Sequence, residues 1–161
     1  MTCRFAQKQT TTSSLSSRSL ARALRDAGAT VISTDEYEAA AHAAAANRFG
    51  ASLYIGFEAR SDERSIVSYF AVPTFESIGG RTLASQTVDH LQQELAVAPE
   101  LRGMRLPVLR ETRMPAVLCS LGPVREVVDA TDAITVAIVA AIVAWAESPL
   151  TDRHPQPRET P

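Results

Sequence analysis

Ala46-Asn47-Arg48-Phe49-Gly50-Ala51-Ser52-Leu53-Tyr54-Ile55-Gly56-Phe57 carries the chain from the end of a helix into an apolar strand. Just upstream, Tyr37, Ala40, Ala41, Ala44 and Ala45 share one helical face, which leaves Glu38 and His42 on the other, toward solvent. Side chains this small suit a helix packed closely on a sheet. The run 52–57 is apolar throughout, the pattern of a strand covered on both faces.

The same alternation continues outward. Upstream, Leu20, Ala23, Leu24 and Ala27 predict a helix over 16–27 that ends at Gly28 in the C-cap position, and a β-branched strand follows over 29–33. Thr34 or Asp35 can cap the next helix. Downstream, the charged loop 60–64 leads to a strand over 66–72. After Gly79-Gly80, residues Ala84, Thr87, Val88, Leu91 and Leu95 mark a third helix within 76–95. A short strand is expected over 105–109, and another over 116–119, entered through Pro115. Ile134, Ala137, Ile138, Ala141, Ile142 and Trp145 define a last helix, apolar nearly all round, which must be covered on more than one side. Strands alternating with helices predict an α/β fold, a three-layer domain with a mainly parallel sheet between helices. The expected organisation is a loose segment over 1–17, crowded with Ser and Thr, one domain over 18–147, and a disordered proline-rich tail over 148–161.

Composition narrows the functional classes. With 16 basic and 18 acidic residues and no cationic cluster, the chain offers a nucleic acid backbone no strong field. The apolar run 133–146 is shorter than the ~20 residues of a bilayer span, so no membrane span is expected. Two cysteines, Cys3 and Cys119, make no disulfide framework. No secretory signal precedes residue 17, so the chain as written reads as cytoplasmic, or as a cell-envelope protein if its true start lies further upstream.

Local motifs for phosphate, dinucleotide, zinc-protease or serine-hydrolase chemistry are missing. His42 and His90 read as solvated helix positions, and His154 falls in the tail. Cys119 sits inside an apolar strand, where a thiol is an inert small hydrophobe. Ser120 and Glu58 end their strands, and the ends of α/β strands are where such sheets hold ligands. Arg110, Glu111 and Arg113 add charge before Met114-Pro115, as a loop network or a peptide-binding rim.

Two stretches together resemble one family. The opening stretch 46–57 is similar to a segment that runs from an Ala-Asn helix end into a metal-binding strand. Leu109-Arg110-Glu111-Thr112-Arg113-Met114-Pro115-Ala116-Val117-Leu118, followed by Gly122, resembles a segment leading to a catalytic glutamate. Tyr69-Phe70, Ser77 and Leu83-Ala84 fit between them in the same order. The family is that of the zinc-dependent N-acetylmuramoyl-L-alanine amidases, type 3 catalytic domain, and the likeness covers about 20–145. It implies hydrolysis of the amide between N-acetylmuramic acid and L-alanine in the bacterial cell wall, with zinc held by two histidines and a glutamate beside a further catalytic glutamate.

This chain departs from the family's set. Nothing before Leu20 matches the opening strand or the Gly-His-Gly turn after it, and the glutamate ligand of the first helix falls near Gln9. Glu58 stands at the position of the third ligand, a histidine, and Ser120 at that of the catalytic glutamate. The resemblance therefore implies an amidase-like pseudoenzyme of peptidoglycan metabolism without zinc. Its expected role is to bind muropeptide or to regulate, with Glu58, Arg110 and Arg113 as substrate-binding residues and a peptidoglycan fragment or cell-wall protein as partner. The alternatives are an active amide hydrolase with a shifted metal site drawing on Glu58, Glu63 or Glu111, and a protein-interaction module.

Overall fold

The computed structural model describes residues 4–8, 14–34 and 38–148; over 4–8 and 14–17 it is the backbone that is described. In chain order the elements are β1 (Arg4–Lys8), α1 (Ser14–Asp26), β2 (Thr30–Thr34), α2 (Ala39–Phe49), β3 (Leu53–Ala59), β4 (Ile66–Val72), β5 (Phe75–Glu76), α3 (Ile78–Leu91), β6 (Glu100–Met104), α4 (Pro107–Glu111), β7 (Ala116–Leu121), α5 (Val124–Asp129) and α6 (Thr131–Ala146). The strands form one sheet in the order β2-β1-β3-β7-β4-β5, with β6 paired to β4. β1, β2, β3 and β7 run parallel, as do β4 and β6, whereas β4 runs antiparallel to β7 and β5. The sheet is thus mostly but not purely parallel.

Period-two alternation sorts the side chains into two cores. Leu53, Ile55 and Phe57 of β3, Val117, Cys119 and Leu121 of β7, and Val67 and Tyr69 of β4 pack with Leu20 and Leu24 of α1, Leu83 and Leu91 of α3, and Ile138 of α6. On the opposite face Tyr54, Ala116 and Leu118 pack with Ala46 of α2 and with Val108 and Leu109 of α4. That gives three layers. The second face, under α2 and α4, is the one that carries Glu58 and Ser120.

Ser77 caps α3, its Oγ accepting from the Gly80 N–H at 3.1 Å. At the far end of α6, Trp145 Nε1 donates to Gly79 O at 3.2 Å, so α6 is tied to the first turn of α3. Helices α1 and α3 flank α6, yet Val136 and Val143 remain 69% and 48% exposed, so cover on two sides leaves an outward apolar stripe. Among the described residues no helix is long and apolar enough to cross a membrane.

Four expectations change. The segment 1–17 is not loose throughout: Arg4–Lys8 forms β1, between β2 and β3. Ladder bonds on both sides outweigh the weak local preferences of those residues. The strand expected over 105–109 lies earlier, at Glu100–Met104, and Pro107 instead opens α4, where its missing N–H costs nothing. The buried face of α2 is His42, Ala43 and Ala46, not the stripe read from Ala40, Ala41, Ala44 and Ala45. In a run of alanines several stripes look equally apolar, and here the one containing His42 is taken inside. His42 is fully buried, and its Nδ1 shares a hydrogen bond with Thr34 Oγ1. The tail after Ser148, with His154, lies outside the described residues.

Candidate functional site

Glu58 and Ser120 are register partners on the adjacent parallel strands β3 and β7, so their side chains emerge together near the carboxyl ends of both. Ser120 Oγ donates to Glu58 Oε2 at 3.3 Å, and Ser120 is only 8% exposed. The hydroxyl thus orients the carboxylate rather than waiting as a free nucleophile.

The walls beside this pair are fixed by backbone bonds. Arg60 N donates to Leu121 O at 2.7 Å and Val124 N to Arg60 O at 3.1 Å, which stitches the β3–β4 loop to the turn after β7. Buried Ser65 completes the seam, with Oγ accepting from Gly122 N at 3.1 Å and donating to Gly122 O at 3.2 Å. A Cβ on Gly122 would lie 2.3 Å from Asp62 O, so only glycine fits the seam. Arg60 grips Asp62 with both ends of its fork, at 2.8 and 2.7 Å. That hydrogen bond, more than charge attraction, lowers the Asp62 carboxyl and raises the Arg60 guanidinium. Arg60 is thus held by Asp62, and the Glu58 charge also favours its charged form.

The floor is Tyr54, fully buried, whose Oη has no hydrogen-bond partner among the described residues. Burial first, and the Glu58 charge second, raise its phenol well above the usual tyrosine range. On the other face, burial pushes the Cys119 thiol up to about 12, as expected of an inert core cysteine.

Arg110 and Arg113 do not join this crevice. They precede β7, at the opposite end of the strands, and the run from Ala116 to Ser120 alone spans ~13 Å. Arg110 pairs with Glu111 at 2.7 Å on the surface. The Arg113 N–H donates to Asn47 Oδ1 at 2.9 Å, and Asn47 Nδ2 donates to Glu111 O, also at 2.9 Å. Asn47, at the end of α2, thus clamps the loop that leads into β7. Glu111 is consequently no neighbour of Glu58, and Glu63 sits exposed on the loop between β3 and β4.

A zinc of the kind that the resemblance implies needs three protein donors and an open position. The helix α1 begins at Ser14, and its first turn holds no acidic residue; Gln9 lies outside the described residues. The β1–α1 connection, 9–13, reads Gln-Thr-Thr-Thr-Ser and contains no histidine. Among the described residues no three His, Cys, Asp or Glu side chains gather where they could hold a metal. A carboxylate with one serine hydroxyl does not make the set.

Sequence reading located Glu58 and Ser120 but missed the Tyr54 phenol, the Asn47 clamp and the Gly122 seam. The alternation Tyr54-x-Gly56-x-Glu58 was the available signal for the first, since period two puts all three on one face.

No family model and no curated protein matches the sequence. Solved structures do. The N-acetylmuramoyl-L-alanine amidase AmiC2 of Nostoc punctiforme is similar with a TM-score of 0.76 at 16% identity, over 91% of this chain and 98% of that one. The N-acetylmuramoyl-L-alanine amidase from Clostridium difficile 630 gives 0.76 at 16%, over 92% and 98%. The catalytic domain of CwlV from Bacillus (Paenibacillus) polymyxa var. colistinus gives 0.75 at 14%, over 89% and 98%. The chain has the fold of N-acetylmuramoyl-L-alanine amidase catalytic domains.

Proposed function

We propose that this is an amidase-like domain of bacterial peptidoglycan metabolism that has lost hydrolysis, holds no zinc, and acts as a muropeptide-binding or regulatory module. The observation that carries the reading is the Glu58–Ser120 pair. It stands where the resemblance would put a metal ligand and the catalytic glutamate, and its hydroxyl is bonded to its carboxylate at 3.3 Å. Amide hydrolysis at such a site needs a polarised carbonyl and a base to take a proton from water. A serine hydroxyl is no base at neutral pH, and losing a general base alone costs ~10²–10⁴ in rate. What Glu58 and Ser120 still offer is a carboxylate and a hydroxyl oxygen, acceptors suited to the amide N–H and hydroxyl groups of a muropeptide. Arg110 and Arg113 belong to the other end of the strands and have no part in that contact.

Elemental analysis after dialysis, product detection on muropeptides and a pull-down with purified peptidoglycan test the reading together. The expected result is no stoichiometric zinc, no released stem peptide and retention on peptidoglycan that Glu58→Ala weakens. One zinc per chain with turnover abolished by Glu58→Ala would establish a shifted metal site instead. Loss of retention with no turnover would leave a protein-interaction module.

A further inference from the structure

Tyr54 is fully buried on this face, and its hydroxyl has no hydrogen-bond partner among the described residues. A phenol buried without a partner costs ~1–3 kcal/mol relative to a satisfied one, and phenylalanine would fill the same space without that cost. The position of the hydroxyl indicates what it is for. A Cβ built on Gly56 would lie 3.2 Å from Tyr54 Oη and 2.7 Å from Leu118 Cδ1. The ring therefore lies along the strand, over the gap that Gly56 leaves, with its hydroxyl toward the carboxyl end and Leu118 packed beside it. Glu58 is the next residue of β3 on that face, ~6.6 Å beyond Gly56. The Glu58 charge adds to burial in raising the phenol.

We infer that Tyr54 is a positioning residue of the Glu58 crevice: its phenol donates to an O–H group that in turn donates to Glu58, continuing the hydrogen-bonded row from Ser120 into the floor. The group held there is a water or a ligand hydroxyl, which share this chemistry. Its identification as a sugar hydroxyl rests on the muropeptide reading above; the bridge itself does not.

The test is a double-mutant cycle in urea with Tyr54→Phe and Glu58→Gln, in the full chain. A bridge makes the two changes non-additive by at least about threefold in the unfolding equilibrium constant, with Tyr54→Phe alone destabilising. Additive effects with Tyr54→Phe stabilising the protein would overturn the inference, because removing an unsatisfied hydroxyl is favourable. The Tyr54 13Cζ resonance gives a second readout that does not depend on Tyr54→Phe folding. It shifts on Glu58→Gln if the bridge exists and stays put if it does not. Adding a disaccharide-dipeptide muropeptide then separates the sources. A further shift at saturation assigns the oxygen to the ligand, and an unchanged resonance with the coupling intact assigns it to water. Failure to retain peptidoglycan with that coupling still present would defeat the proposed function and leave the bridge standing.

Discussion

The two ends of the β3–β7 strand pair are built on opposite principles. At the amino end, side chains serve the backbone: Asn47 satisfies Glu111 O and the Arg113 N–H, and Tyr54 N donates to Pro115 O at 3.0 Å. At the carboxyl end two side chains bond each other across the strands. The seam of Arg60, Ser65 and Gly122 holds a wall beside Glu58 and Ser120, whose polar groups face one another across the strands. The stretches 46–57 and 109–118, which carry the family resemblance, meet at the Asn47 clamp. The stretches that carry the resemblance thus meet where the structure is scaffold.

The contrast breaks most visibly at Gly122. Replacing it with alanine puts a Cβ against Asp62 O and should cost about 3 kcal/mol in urea unfolding, with loss of peptidoglycan retention as the wall shifts. A tolerated substitution would mean that the seam is slack. Next comes Asn47→Ala, which removes both clamp bonds and should cost about 2 kcal/mol by the same measurement. Retention on peptidoglycan is expected to survive at temperatures where that variant is folded, because the clamp lies at the other end from the crevice.

A smaller effect separates neighbours on the two faces. The Cys119 thiol, pushed by burial up to about 12, stays protonated while an unfolded cysteine loses its proton near ~8.5. Its folded value is raised, so the stability it contributes is fully present below the unfolded value and is lost as pH rises toward the folded one. The slope between them approaches about 1.4 kcal/mol per unit. Unfolding midpoints of wild type and Cys119→Ala should therefore converge above pH 9, and equal pH slopes would refute the assignment. The smallest effect is expected at Ser120→Ala, within about 0.5–1 kcal/mol, since one 3.3 Å bond to a carboxylate near the surface contributes little. Weaker retention with nearly unchanged stability is the signature of a site residue. A large loss of stability there would move Ser120 to the scaffold.

Legibility followed the same division. Apolar periodicity sufficed for β3, β7, α1, α3 and α6, because each buries a contiguous stripe or run that local pattern records. β1 was not legible, since a strand held between two parallel neighbours draws its stability from partners far away in sequence. Nor was the inward turn of His42, which meets Thr34 at the end of the preceding strand, β2. Glu58 and Ser120 could be placed at strand ends, yet their direct bond depends on the β3–β7 register, which lies in neither segment alone.

The bond from Trp145 to Gly79 gives the protein an optical reporter. Trp145 is the sole tryptophan of the chain, and Gly79 lies so near Pro115 that a Cβ there would come within 2.8 Å of its ring. Indole emission therefore reads the docking of α6 on the start of α3, and through Pro115 the loop that Asn47 clamps. A red shift that precedes the loss of helical circular dichroism would time the loosening of that end without any label.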